Sequence, residues 1–189
     1  VKLVMDRDEV FRASGPTSGT RIKVKMGVTN EGQLTAADVW MGYEAGAFSG
    51  SPVGAAGMTV IACYDIPNFF VEGFDVVVNK PRVAAYRAPG APMAAFAVET
   101  VMDELARGIN IDPIDLRLQN AVVEGTQASY GPKFPRIGFV ETLEAIKNHP
   151  QYTAELGPNQ GRGVAAGFWF NAGMNSSATV HINENGTAT

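Results

Sequence analysis

The segment with the clearest chemical signal is AAYRAPGAPMAAFAVETVMDELA, residues 84–106, in which Arg87 precedes a helix-like pattern. Arg87 lies among alanines, two prolines and Gly90, and the loop has no other charge. A guanidinium carries a permanent charge and a rigid fork of donors, which suit anionic or carbonyl oxygens. A loop at a helix N-terminus also presents free backbone N–H groups that favour anions.

Two interpretations of Arg87 follow from these residue types. In the first, the loop and the start of the helix contact an oxyanion or a cofactor. In the second, the side chain has a structural role and pairs with a carboxylate or caps a carbonyl elsewhere in the fold. Residue chemistry alone favours neither interpretation.

The other candidate groups favour structural roles. His149 stands at a predicted helix end, where a positive charge interacts well with the helix dipole, and His181 faces solvent in an alternating strand pattern. Cys63 has no basic neighbour in the sequence to lower its pKa, so a buried structural thiol is expected. Asp103 and Glu104 are adjacent carboxylates on a solvated helix face. No H-E-x-x-H, G-x-S-x-G, P-loop or G-x-G-x-x-G motif is present, and we predict neither a catalytic group nor a metal ligand in this chain.

The composition is typical of a globular chain, with 189 residues of which 46% are hydrophobic and 18% charged. The net charge is −4, and the basic residues form no run longer than RIKVK, so a nucleic-acid partner is not expected. The one cysteine excludes an internal disulfide and favours a reducing, cytoplasmic location. No apolar stretch approaches the roughly 20 residues that span a bilayer.

Hydrophobic periodicity places these residues on a β-rich, then α-rich, then again β-rich chain. Strands are predicted at 1–6, 20–29, 33–47, 69–80, 161–173 and 177–189. Helices are predicted at 6–14, 111–120 and 139–148, and from the turn that contains Pro92 to Gly108. Residues 46–57 are predicted as a loop, residues 58–64 are ambiguous with helix favoured, a hairpin turn is expected at 30–32, and a bulge at Gly73.

The order of elements predicts an α+β fold with mixed sheets and several packed helices, rather than a doubly wound sheet. No linker divides the chain, so residues 1–189 are treated as one structural unit. In the helix after the arginine loop, the apolar stripe should face the core, and Glu99, Asp103 and Arg107 should lie on the opposite side.

The segment AYRAPGAPMAAFAVETVMDELARGINIDPIDLRLQN resembles a region of xanthine dehydrogenases and aldehyde oxidases. That region reads A-[FY]-R-[GSA]-x-G, continues as a helix, and ends in D-P-x-x-[LIF]-R-x-x-N. The last pattern is matched here by Asp112, Pro113, Leu116, Arg117 and Asn120. DRDEV, YDIPN and GRGVAAGFWF…NENGTA also fit in the family's order. The chain is thus identified as similar to an internal part of the molybdopterin-binding large subunit of these molybdenum hydroxylases.

The resemblance implies an oxidoreductase that hydroxylates an aldehyde or an N-heterocycle at a molybdenum–pyranopterin centre, with oxygen derived from water. The cofactor would be molybdopterin or its dinucleotide form, with 2Fe-2S clusters and in some members FAD on partner domains. The implied partners are the remainder of the molybdopterin subunit, iron–sulfur and flavin subunits or domains, and a small-molecule substrate. Neither nucleic acid nor a membrane span is expected.

The resemblance also assigns site residues. The family's arginine loop reaches the molybdenum centre, which implies that Arg87, with Tyr86 and Ala88, contacts the cofactor's oxygen ligands through backbone N–H groups, with or without the arginine charge. A family position that is often an aromatic pocket wall is Pro89 here, which implies a more open substrate pocket. Phe168 and Phe170 either form an aromatic wall of that pocket or belong to a core strand edge, and the second is slightly favoured.

Several departures limit what the resemblance implies. The segment ASGPTSG, at 13–19, lacks the arginine of the family's G-G-R-H motif, so purine-type hydroxylation is less expected. The glycine-rich F-G-G-K loop, the Q-G-Q-type loop and the glutamate general base would lie outside residues 1–189. We therefore expect a piece of a longer polypeptide that is inactive alone and exposes large apolar patches.

Two other functions remain open from the sequence. The first is a non-catalytic module of the same ancestry, used for assembly or subunit contact. The second is an unrelated ligand-binding α+β domain without a redox role. A buried and ion-paired loop at 85–90 would favour the latter.

Overall fold

A three-stranded mixed sheet, with its longest strand in the middle, organises the fold in the computed structural model, which describes residues 1–170 and 175–188. The strands are β1 (Thr20–Val28), β2 (Leu34–Gly46) and β3 (Phe69–Val77). β1 and β2 form an antiparallel hairpin, and β3 lies parallel to β2 on its other side. The hairpin turn at 30–32 is confirmed.

Six helices accompany the sheet in the described part of the chain: α1 (Arg7–Ala13), α2 (Val53–Thr59), α3 (Ala91–Gly108), α4 (Pro113–Gln119), α5 (Phe139–Lys147) and α6 (Pro150–Thr153). α3 contacts β1, α2 and α4, and α5 packs on α4. The predicted α+β class is confirmed. No helix among the described residues is long and apolar enough to cross a bilayer.

The core forms between β2 and α3, because each element directs a regular set of its side chains toward the other. Alternate residues of β2 point to one face of the sheet, and every third or fourth residue of α3 points back toward it. The residues buried on these two elements include Val39, Met41, Tyr43, Ala94, Val98, Met102 and Ala106. Because all of these are apolar or aromatic, their burial fixes α3 against the sheet.

Glycines allow the closest contacts of α2. Gly90, directly before α3, has a φ of 89°, and a Cβ there would lie 2.5 Å from the carbonyl oxygen of Pro52. Gly73 pairs in register with Met41, so the predicted bulge at Gly73 is wrong. A Cβ at Gly73 would lie 2.7 Å from Cγ2 of Val53, so this glycine instead leaves room for α2 to pack on β3.

Three other boundaries differ from the sequence prediction. Residues 1–6 form no strand, because none of the strands in the described part of the chain pairs with them. α2 begins within the predicted loop at 46–57 and ends at Thr59, and residues 60–63 are turns rather than helix. In the C-terminal part that the structure describes, the predicted strands are absent, and one isolated bridge joins Ile182 and Ala188. The predicted range 161–173 extends into 171–174, and 177–189 ends at residue 189; those positions lie outside the described residues.

The outer strand of the sheet exposes apolar side chains. β3 is exposed over most of its length. Its exposed apolar residues are Phe69, Phe70, Phe74, Val76 and Val77. Such a row is typical of a surface that another polypeptide covers.

Candidate functional site

A cavity of about 550 Å³ lies beside the arginine loop. The loop contributes Arg87 and Ala88, the first turns of α3 contribute another side, and residues 166–169 close the cavity opposite. The lining residues from α3 are Ala91, Pro92, Ala95 and Glu99. The remaining lining residues are Thr59, Val60, Cys63 and Tyr64. Most of these side chains are small or apolar, and the polar groups are few, as in a site that binds a small molecule.

The arginine loop has an unusual backbone. Arg87 has a φ of 22° and Ala88 a φ of 54°, both in the left-handed region that residues with a Cβ rarely occupy. Such conformations persist where the surroundings hold them. The hydroxyl of Tyr43 donates to the carbonyl of Gly90 at 2.9 Å, and the N–H of Ala91 donates to the carbonyl of Ala88 at 3.1 Å. The base of the loop is therefore attached to the buried sheet.

The side chain of Arg87 has no partner among the described residues. It is exposed, and no hydrogen bond or ion pair joins it to any of residues 1–170 or 175–188. The structural interpretation, in which Arg87 pairs with a carboxylate or caps a carbonyl, therefore finds no support here. The N-terminus of α3, next to the loop, also lacks a side-chain cap. Because Ala91 donates its N–H to Ala88 and Pro92 has no N–H, the positive charge on this side of the cavity comes from the guanidinium of Arg87 rather than from free N–H groups of α3.

The structure brings together only part of the predicted site. Arg87, Ala88 and Phe168 line the cavity, whereas Tyr86, Pro89 and Phe170 do not. Tyr86 is exposed, and Pro89 is half-buried. Phe168 packs edge-on against Phe134 with ring centres 5.6 Å apart, which places it partly in the core as well as on the cavity wall.

Trp169 completes the aromatic side of the cavity, a position that the sequence did not single out. Its ring stacks on Phe170 with ring centres 4.5 Å apart. Phe170 therefore packs on Trp169 and does not itself line the cavity. The aromatic wall is formed by Phe168 and Trp169.

The predicted position of Glu99 is wrong. The helical pattern predicts Glu99 on the solvent side of α3, but the residue is 5% exposed and lines the cavity. Its Oε1 accepts a hydrogen bond from the Tyr64 hydroxyl at 2.5 Å. Its Oε2 accepts from Nε of Arg117 at 2.8 Å and from the N–H of Ala166 at 2.7 Å. Glu99 is buried because α4 packs on α3 and brings a fully buried guanidinium against it.

Asp103 shares the same guanidinium. Its Oδ1 accepts from Nη2 of Arg117 at 2.8 Å, and its side chain is 37% exposed. The prediction of a solvated pair at Asp103 and Glu104 therefore holds for Glu104 alone, which is exposed. Glu99 and Asp103 are four residues apart on one helix face, so both can reach Arg117.

Burial keeps two groups at the cavity protonated. Burial raises the pKa of Cys63 to about 12, and the charge of Glu99 adds to this. Burial and Glu99 also raise the pKa of Tyr64 well above its ordinary value. Burial alone would lower the pKa of Arg117, but its interactions with Tyr64 and Glu99 raise it, so the guanidinium stays charged. Cys63 is a buried, protonated thiol, as predicted.

The histidines take no part in the cavity. Nδ1 of His149 accepts from the N–H of Gln151 at 3.2 Å, so His149 caps the start of α6 rather than the end of α5 as predicted. The reason is that Pro150 begins a new helix. His181 is exposed as predicted, although no strand forms around it. Within the described ranges, no cluster of three or more His, Cys, Asp or Glu could hold a metal ion.

Comparison with known proteins finds molybdenum enzymes. A family model described as "Molybdopterin cofactor-binding domain" matches residues 1–121. The nicotinate dehydrogenase large molybdopterin subunit of Eubacterium barkeri is 32% identical over 78% of this chain and 36% of its own length. The putative xanthine dehydrogenase molybdenum-binding subunit XdhA of Escherichia coli K12 is 32% identical over 76% of this chain and 20% of its own. The chain thus spans between a fifth and just over a third of these two relatives.

Solved structures share the fold. The aldehyde oxidoreductase from Desulfovibrio gigas superposes with a TM-score of 0.67 at 26% identity, over 73% of this chain and 15% of that one. The quinoline 2-oxidoreductase from Pseudomonas putida 86 superposes with a TM-score of 0.69 at 22% identity, over 76% of this chain and 20% of that one.

Proposed function

Because this chain belongs to the family of molybdopterin cofactor-binding domains, we propose that the residues lining the cavity beside Arg87 form one wall of a molybdenum–pyranopterin site. The observation that carries the proposal is the guanidinium of Arg87, which lines the cavity next to the start of α3 and has no partner within residues 1–170 and 175–188. A pyranopterin carries anionic and carbonyl oxygens, which a guanidinium and free backbone N–H groups bind well.

The lining residues fit a flat, partly anionic group. Ala88, Ala91, Ala95 and Gly167 are small, so a planar ligand can approach the backbone closely. We propose that Arg87 binds a cofactor oxygen through its guanidinium, and that the backbone at Arg87 and Ala88 binds through N–H groups. Tyr86 does not line the cavity, and we propose that it contacts a cofactor oxygen through its backbone N–H only. The bound cofactor would supply the redox chemistry.

The reaction we propose is hydroxylation of an aldehyde or an N-heterocycle with oxygen from water. Support comes from the relatives, which are named as nicotinate dehydrogenase, xanthine dehydrogenase and aldehyde oxidoreductase. Phe168 and Trp169 offer aromatic faces on which a planar substrate could stack. Pro89, within the loop, leaves the pocket without an aromatic side chain at that position, and Phe170 stacks on Trp169.

The general base is proposed to come from polypeptide outside this chain. Glu99 is the one carboxylate among the described residues that line the cavity. Both of its oxygens accept hydrogen bonds, one from Tyr64 and the other from Arg117 and Ala166. Both oxygens of Glu99 are therefore occupied by fixed partners within the fold. We propose that residues 1–189 alone are inactive, because they supply only one wall of the site.

We also propose how the chain is organised and partnered. Residues 1–189 act as a single structural unit within the molybdopterin-binding region, in the cytoplasm, where the buried Cys63 stays reduced. The partners are the rest of the molybdopterin subunit and subunits or domains that carry 2Fe-2S and FAD, since relatives are named as large subunits. The exposed apolar strand β3 is a surface that such polypeptide could cover.

The proposal is tested on the full-length protein by elemental analysis, pterin fluorescence and turnover in ¹⁸O-labelled water. The expected result is molybdenum and pterin in equimolar amounts, with ¹⁸O in the hydroxylated product. An absence of molybdenum and pterin under conditions in which a control molybdenum enzyme is loaded would overturn it. That result would leave the non-catalytic assembly module as the function.

A further inference from the structure

The ion pair between Glu99 and Arg117 joins three parts of the molecule, not two. It links α3 to α4, and it also holds the segment 164–169. Nη2 of Arg117 donates to the carbonyl of Val164 at 3.1 Å, and the N–H of Ala166 donates to Oε2 of Glu99 at 2.7 Å. Both charged side chains therefore bind backbone of the same short segment.

This segment has no secondary structure that could hold it. Residues 161–170 are neither helix nor strand, and no backbone–backbone hydrogen bond joins them to any described residue. The two bonds from Glu99 and Arg117 thus supply the hydrogen bonding of the backbone at 164 and 166. The packing of Phe168 against Tyr130 and Phe134 adds apolar contact two residues further on.

The attachment also sets the shape of the cavity. α3 begins at the Arg87 loop on one side of the cavity, and Glu99 lies two turns further along the same helix. The segment that Glu99 binds carries Phe168 and Trp169, the aromatic wall on the opposite side. One helix therefore fixes the separation between the cationic side of the cavity and its aromatic side.

We propose that Glu99 and Arg117 are positioning residues that hold segment 164–169 as the aromatic wall of the cavity, and so set the width available to a planar substrate. The claim that this width limits the substrate rests on the proposed function. The attachment of segment 164–169 to Glu99 and Arg117 rests on the hydrogen bonds described above. An ion pair that only linked α3 to α4 would not require Glu99 to accept a hydrogen bond from the N–H of Ala166, or Arg117 to donate one to the carbonyl of Val164.

Hydrogen–deuterium exchange on the full-length protein tests the attachment without any requirement for cofactor. In Glu99→Gln the charge is lost at constant size, and exchange of the Ala166 amide should rise at least about tenfold, because this is the one amide of 162–169 with a hydrogen-bond acceptor among the described residues. Exchange in the middle of α3 should change less than about twofold. Glu104→Gln, an exposed residue of the same helix, is the matched control and should behave as wild type.

A second variant approaches the same contact from the segment. Ala166→Pro removes the N–H that donates to Glu99 but leaves the ion pair intact. It should increase cleavage within 161–169 in limited proteolysis without affecting α3 or α4, and it decides the question if Glu99→Gln fails to fold. An unchanged exchange rate of the Ala166 amide in folded Glu99→Gln, or unchanged cleavage in folded Ala166→Pro, would overturn the proposal.

Kinetics of the loaded enzyme separate positioning from chemistry. A displaced wall should raise KM for a planar heterocycle about tenfold while kcat changes less than about twofold. A lower kcat at unchanged KM would contradict the assignment of substrate width to this segment. If the protein holds no molybdenum, the proposed function fails, whereas the exchange result still decides the attachment.

Discussion

The hydroxyl of Tyr43, at the centre of the sheet, donates a 2.9 Å hydrogen bond to the carbonyl of Gly90, the residue directly before α3. Tyr43 is fully buried, and burial raises its pKa to about 12. The hydroxyl therefore stays a donor throughout the neutral range. This bond connects the hydrophobic core to the base of the loop that carries Arg87.

Tyr43→Phe should destabilise the protein by about 1 kcal/mol, because the carbonyl of Gly90 loses the hydroxyl and keeps only the longer hydrogen bond from the N–H of Ala94. Urea unfolding of the full-length protein measures the change. Tyr86→Phe is the control, since Tyr86 is exposed and its hydroxyl has no partner among the described residues. Equal stability of the two variants would show that the bond does not anchor the loop.

Gly90→Ala should lower the free energy of unfolding by more than about 1 kcal/mol. The new Cβ would clash with the carbonyl of Pro52, and the left-handed backbone at this position disfavours a residue with a Cβ. Gly108→Ala, at the other end of α3, has open space around the new methyl group and should stay within about 1 kcal/mol of wild type. Thermal unfolding of both variants checks this. A neutral Gly90→Ala would contradict the close approach of α2 and α3.

Arg117→Met should destabilise by about 3–5 kcal/mol, because Glu99 is left as a buried charge without its partner. Arg107→Met, at an exposed position of α3, should change stability by less than about 1 kcal/mol. Chemical denaturation gives both values. In the double variant Glu99→Gln with Arg117→Met, the loss should be smaller than the sum of the two single losses. An additive result would mean that the pair does not interact.

Cys63 should react slowly with iodoacetamide in the folded protein. A rise of its pKa from near 9 to about 12 lowers the thiolate fraction roughly a thousandfold at neutral pH. The raised pKa also means that its contribution to stability is complete below pH 9 and is lost as pH rises toward 12. Labelling followed by mass spectrometry, with a urea-unfolded control, measures the rate. Equal rates in the folded and unfolded protein would contradict the burial.

Local signals in the sequence account for much of the fold. Asp6 caps α1 in a full capping box, and Asp112 and Pro113 begin α4 within the range predicted as a helix, 111–120. These features depend on residues within one turn of each other, and the sequence shows them directly. The hairpin between β1 and β2 is likewise a short-range feature.

The predictions that are wrong depend on contacts between residues that are far apart in the sequence. Glu99 looked solvent-facing because its partner Arg117 follows 18 positions later and meets it only when α4 docks on α3. The C-terminal segment alternates like a strand, but a strand also needs a neighbour with which to pair. Nothing local indicates whether such a neighbour exists.

The site was predictable in part for the same reason. Arg87 stood out as an isolated charge before a helix, and its side chain indeed has no protein partner among the described residues. Tyr64, Glu99 and Trp169 line the same cavity but come from three separate segments. No spacing in the sequence brings these three together.

The central claim is that the guanidinium of Arg87 binds the molybdenum–pterin cofactor. The measurement that tests it most directly is the molybdenum and pterin content of the full-length Arg87→Ala variant, which keeps the backbone N–H but removes the charge. Arg82→Ala is the matched control, because Arg82 is exposed on the same segment and does not line the cavity.

Loss of a charge-assisted hydrogen bond weakens binding by about tenfold or more. We predict that Arg87→Ala releases pterin and molybdenum at least that much more readily during dialysis, while Arg82→Ala retains both like the wild type. Full and equally stable retention in Arg87→Ala would contradict the account.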